Sequence, residues 1–215
     1  MQTLGLASAP QPTDGLFKRL FWPEIANGYD IDLVGQQGFW VCVAVAVIAT
    51  LMSLFTGHPL LGVFVGATYF LGALGVRQRN ATAAVLIFLC YFLDRVVSVE
   101  TMVLGMAGGG NPLLGIVATM LLFANVRATI LSRRWQASTA PNEISEMPER
   151  STSSFGDKLA NVLPAKLWPR AQYAFFPLAS LLILVSLLSV LGLPMLKKQA
   201  AANPPSAVYT VSPPQ

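Results

Sequence analysis

The stretch Ala81–Leu104, ATAAVLIFLCYFLDRVVSVETMVL, decides how this chain is read. It opens with thirteen uncharged, mostly apolar residues and then carries Asp94, Arg95 and Glu100. Acidic residues are absent from the other long apolar runs. An ionisable side chain at bilayer depth costs from about 2.5 kcal/mol upward, so it faces a partner, a cavity or water. The stretch is therefore both a predicted membrane span and the predicted place of function.

Composition agrees with a membrane class. The chain has 215 residues, 54% hydrophobic and 11% charged, whereas soluble domains run near 25% charged. From Leu33 to Val76 there is no Asp, Glu, Lys or Arg. At ~1.5 Å per residue that run exceeds twice a ~30 Å hydrocarbon core, so it holds two spans. The net charge of +4 is not the footprint of a nucleic-acid binder, because cations of membrane proteins collect in cytoplasmic loops.

The expected fold is an all-α integral membrane protein with about five transmembrane helices and two short amphipathic interfacial helices. Residues 1–38 form a cytoplasmic segment. Within it Leu16, Phe17, Leu20 and Phe21 recur at helical spacing, with Lys18 and Arg19 opposite and Trp22-Pro23 closing the run; that pattern suits a helix lying in the interface plane. Residues 39–135 hold four spans: Phe39–Thr56, Leu60–Val76, Ala81–Leu104 and Pro112–Ser132. Gly57-His58-Pro59 separates the first two and Gly105–Gly110 the last two, since Gly and Pro punctuate helices. Residues 136–154 are polar, Pro/Ser-rich and read as a linker. Residues 155–170 repeat the amphipathic pattern, with Lys166 before Trp168-Pro169. Trp22, Trp168, Lys18 and Lys166 are the expected interfacial anchors. Residues 171–198 hold the fifth span, and 199–215 is a Pro-rich tail.

Orientation follows from the cations. An N-terminus inside puts Lys18, Arg19, Arg77, Arg79, Arg127, Arg133, Arg134, Arg150, Lys158, Lys166 and Arg170 in the cytoplasm, eleven of the fourteen Lys and Arg. The turns at His58 and Gly105–Gly110 then face outside, as does the C-terminus after an odd number of spans. That is the asymmetry expected of a bacterial inner-membrane protein.

On this topology Asp94 lies about 20 Å along its span, in the outer half of the bilayer. The candidate intramembrane polar cluster is Asp94, Arg95, Glu100, Tyr91 and His58. Its structural reading is charge neutralisation by neighbouring helices. A direct Asp94–Arg95 pair has poor expected geometry, because adjacent residues point about 100° apart on a helix. Tyr91 stands one turn before both. Gly62-x-x-x-Gly66 and Gly72 form a small-residue face for close helix packing.

Catalytic signatures are missing. There is no Gly-x-Ser-x-Gly, no His-Glu-x-x-His and no Cys-x-x-Cys. One histidine and two cysteines, Cys42 and Cys90, each in an apolar run, make no usual metal site. No cofactor and no metal are expected. The expected partners are the lipid bilayer and a membrane-protein partner or a second copy. The leading expectation is a non-catalytic scaffold or accessory subunit of a cell-envelope complex. The alternatives are a small oligomeric transporter or channel using the third span, and a membrane enzyme using His58 with Asp94 or Glu100.

Overall fold

The computed structural model describes residues 28–103, 111–138 and 155–202. These form five helices and, among the described residues, no strands: α1 (Gly28–Phe55), α2 (Pro59–Arg77), α3 (Ala81–Val103), α4 (Pro112–Ser138) and α5 (Phe155–Ala202). Each contains a stretch long and apolar enough to cross a membrane: Ile31–Phe55, Pro59–Arg77, Ala81–Val103, Pro112–Arg133 and Val162–Gly192.

Two tight turns fix the register of the first three helices. Gly57 takes φ +79° between α1 and α2, a left-handed conformation that glycine adopts without strain. Pro59 starts α2 at a position whose missing N–H is not needed. At the other end of α2 the chain closes a complete Schellman motif. The Asn80 amide donates to the Gly75 carbonyl at 3.0 Å and the Arg79 amide to the Val76 carbonyl at 3.0 Å. Asn80 then caps α3, its Oδ1 accepting from the Ala83 amide at 3.0 Å. The left-handed position of the motif, usually glycine, is Arg79 at φ +56°.

An arginine there is strained, and such strain persists only where surroundings hold it. Arg79 is held by Asp32, at 3.0 Å. Arg79→Ala keeps the strain and loses the ion pair, whereas Arg79→Gly loses the pair and relieves the strain. Left-handed backbone costs an L-residue roughly 1–2 kcal/mol, so in thermal melts in detergent the glycine variant should be the more stable of the two by about 1 kcal/mol. The reverse order would mean that the left-handed backbone at position 79 carries no such strain.

Helix directions follow from which residues meet. A Cβ added at Gly62 would lie 2.6 Å from the Ser53 Cβ, and one at Gly66 would collide with the Thr50 hydroxyl, so α1 and α2 run antiparallel. Gly72 packs on Ile87 of α3 and Phe175 of α5, and Gly75 on Ala83 and Trp168. Hence α3 and α5 both run against α2. Arg95 of α3 lies over Gly115 of α4, and Phe88 meets Phe123 with ring centroids 5.7 Å apart, so α4 runs against α3. The described parts of α1–α4 form a ring, with α5 in the groove between α2 and α3. Arg77, the N-terminal half of α1 and Trp168 therefore share one end of the bundle. The core is largest in that half, around Phe39, Cys42, Tyr69, Leu74, Ile87, Cys90 and Phe175.

Two boundaries differ from the sequence reading. The first span does not begin at Phe39: α1 begins at Gly28 and continues through Asp32 and Gly35. Those residues are not a hydrophilic approach. Gly35 packs beside the Arg77 guanidinium and Gly38 against Asn125, so they belong to the packed end of the bundle. Residues 155–170 do not form a separate helix either, but continue into the fifth span within α5. Proline inside a helix removes one hydrogen bond and need not end it in a packed membrane helix. Trp168 follows from that continuity: it packs against Phe175 with ring centroids 5.7 Å apart and is buried, while Lys166 is exposed. The amphipathic run Leu16–Trp22, with Lys18 and Trp22, lies outside the described residues.

Candidate functional site

One stripe of α3 carries Ala83, Ile87, Cys90 and Asp94, spaced so that they share a helix face. The first three are fully buried. The Asp94 side chain, one turn further on, is 53% exposed. The inward stripe of α3 thus leaves the packed interior between Cys90, whose thiol lies 3.7 Å from the Ala179 carbonyl of α5, and Asp94.

The sequence reading gave an Asp94–Arg95 pair poor geometry; the structure makes that pair. The Arg95 side chain is long enough to turn back along the helix, and its Nε donates to Asp94 Oδ2 at 3.1 Å. Its Nη2 donates to the same oxygen. The guanidinium also stands over the Tyr91 ring, 5.3 Å from the centroid, a cation–π contact. Its methylenes lie against Gly115, where a Cβ would approach Arg95 Cδ to 2.9 Å. The glycine gives the arginine a slot on α4. Both bonds from Arg95 land on Oδ2, and among the described residues Asp94 Oδ1 accepts none.

Tyr91 belongs to this cluster. So does Tyr69 of α2, whose ring meets Tyr91 edge-on at 6.3 Å. Tyr69 carried no sequence signal beyond a polar tip in an apolar run. Glu100 lies about one and a half turns past Arg95, and its buried Oε2 has no hydrogen-bond partner among the described residues. His58 is not brought to the cluster. The shallow hollow at its turn is lined by Gly57, His58, Pro59, Leu60 and Leu61, with nothing contributed by α3. Among the described residues, His, Cys, Asp and Glu nowhere gather in groups of three that could hold a metal ion.

A second charged site stands at the opposite end of α2, and the sequence reading did not see it. Arg77, counted in the sequence among the cytoplasmic cations, is 1% exposed. It forms a fork with Asp32 of α1: Nη1 to Oδ1 and Nη2 to Oδ2, both 3.0 Å. Nη1 also donates to the Asp32 carbonyl at 2.9 Å. Paired donors in one plane match a carboxylate better than a point charge does. Beside this fork Asn125 of α4 is buried, its Nδ2 donating to the Val34 carbonyl at 3.1 Å. The signal was present: Asp32, Gly35, Phe39, Cys42 and Ala46 share one face of α1. Reading that face inward puts Asp32 in the interior, where it needs a cation.

The two sites differ in kind. Asp32, Arg77 and Asn125 are enclosed by α1, α2 and α4 and hold the bundle together. Asp94 and Arg95 lie where the described helices leave a charged pair half-covered. No family model, curated protein or solved structure matches the chain.

Proposed function

We propose that the chain is a non-catalytic integral membrane protein, a scaffold or accessory subunit of a cell-envelope complex in a bacterial inner membrane. Its N-terminus is cytoplasmic and its C-terminus outside. One observation carries the reading: an ion pair at span depth, half-covered by its own chain, with a carboxylate oxygen that accepts no bond among the described residues. Hydrocarbon is a poor neighbour for that oxygen, so a partner helix completes the site. Arg77, Arg79, Arg127, Arg133, Lys166 and Arg170 lie toward one end of the bundle, which supports the assigned orientation.

A photo-reactive residue at Ser98, one turn beyond Asp94, tests this. It should capture a protein. Capture of lipid alone would overturn the partner reading. The transporter reading draws on the same face, since a hydrated crevice would also suit Asp94. In a chain with Cys42 and Cys90 replaced by alanine, a cysteine at position 94 should resist membrane-impermeant thiol reagents if a helix covers it. Rapid labelling would favour transport.

The topology has its own test. In sealed cells, externally added reagent should label a cysteine placed at Gly109 or Ser206 and miss one at Ser153. Labelling at Ser153 would reverse the arrangement. Labelling at Gly109 without Ser206 would show that α5 does not cross.

A further inference from the structure

We propose that the helix completing the Asp94–Arg95 site belongs to a second copy of this chain, an inference that rests on the partner reading above. The argument is charge complementarity at one depth. Two copies in the same membrane share one orientation, so a twofold axis along the membrane normal places equal depths opposite each other. Asp94 and Arg95 are adjacent in sequence and differ by about 1.5 Å in depth. In a twofold pair, Asp94 of each copy therefore meets Arg95 of the other.

The atoms left over within one copy are the atoms such a pairing needs. Among the described residues Asp94 Oδ1 accepts no bond, because Arg95 Nε and Nη2 both bond Oδ2. Neither of those bonds uses Arg95 Nη1, which lies at the α4 edge beside Gly115, 3.6 Å from where a Cβ there would stand. Nη1 of one copy donating to Oδ1 of the other, twice, closes a ring of two carboxylates and two guanidiniums with no net charge. The surrounding turns are apolar and exposed: Met102 on α3, and Leu113 and Leu114 on α4. They supply the dry rim that makes a charged hydrogen bond strong.

The reversed chain, Asp94→Arg with Arg95→Asp, tests this without removing the pair inside each copy. Reversed with reversed restores both cross-copy contacts. Reversed with wild type sets arginine against arginine and aspartate against aspartate. Differently tagged chains, co-expressed and extracted in mild detergent, should co-purify as wild type with wild type and as reversed with reversed. Mixed pairs should fall by about tenfold or more, since each 1.4 kcal/mol of repulsion is a factor of ten. Stepwise photobleaching of labelled wild-type chains in lipid nanodiscs should show two steps. Free mixing of reversed with wild type, or single-step bleaching, would overturn the self-pairing. If the Ser98 crosslinker then captures a different protein, the partner reading stands and only the second copy falls. Capture of lipid alone removes both.

Discussion

Arg77→Met should lower unfolding free energy by about 3–5 kcal/mol, the range for removing one partner of a buried ion pair. The side chain is 1% exposed and donates three bonds to Asp32, two to the carboxylate and one to the main-chain carbonyl. Its loss leaves the Asp32 carboxylate facing Gly35 and Arg79 across an emptied slot. Asp32→Leu should cost at least as much, because it strands the Arg77 guanidinium and also removes the carboxylate that holds Arg79. The double replacement should recover part of the loss, since an apolar pair of similar volume can be near neutral where a half pair is not, although Arg79 then still lacks its Asp32 contact. Thermal unfolding in detergent reads all three variants. Additive losses would show that Arg77 and Asp32 stabilise the fold through other neighbours. Lysine at position 77 is a sharper probe. It keeps the charge but not the fork, so Arg77→Lys should fall between wild type and methionine.

The difference between this site and the one at Asp94 explains what the sequence could and could not disclose. Hydrophobic run length sets the number of spans, because a hydrocarbon slab fixes how many apolar residues cross it, and all five runs are helical. Run length says little about where a helix begins inside protein. Asp32 and Gly35 look like an aqueous approach to Phe39 only if water is assumed around them. Arg77 supplies the missing charge from a helix 45 positions away. A contact of that separation leaves no local pattern. Pro169 misled for a related reason. Proline stops an isolated helix, but α5 lies in a groove made by α2 and α3, and packing holds it straight through. Asp94 and Arg95 were legible as anomalies because charge inside an apolar run is expensive wherever it points. Their mutual bond was not legible: a rule for Cβ directions does not describe a long arginine side chain that folds back. Tyr69 and Asn125 were silent, since one polar atom in a run of apolar residues is common.

The second large effect is expected at Gly75. Here α2 meets both α3 and α5. A Cβ would stand 2.6 Å from the Ala83 Cβ and 2.7 Å from Trp168 Cζ3. Neither neighbour has room to yield. Ala83 is fully buried on α3. The Trp168 ring is wedged against Phe175 and Phe176, at centroid distances of 5.7 and 6.3 Å. Overpacking a tight core costs about 1–3 kcal/mol and sometimes more, so Gly75→Ala should lose that much and Gly75→Leu should lose more or displace α5 altogether. Displacement has a direct readout: a cysteine placed at position 179, whose main-chain carbonyl lies 3.7 Å from the Cys90 thiol in wild type, should crosslink to Cys90 in the otherwise native chain and fail to do so in Gly75→Leu. Gly192 is the control within the same protein. Nothing lies within 4 Å of its added Cβ, and alanine is the better helix former by roughly 1 kcal/mol. Gly192→Ala should therefore leave stability unchanged or raise it slightly. Equal losses at positions 75 and 192 would mean that α5 does not sit in the groove between α2 and α3. Trp168→Leu should then relieve Gly75→Ala, because the smaller side chain vacates the space that the new methyl enters. That rescue should be non-additive, as expected of residues in contact. Without it, the collision at Gly75 would lie with Ala83 alone.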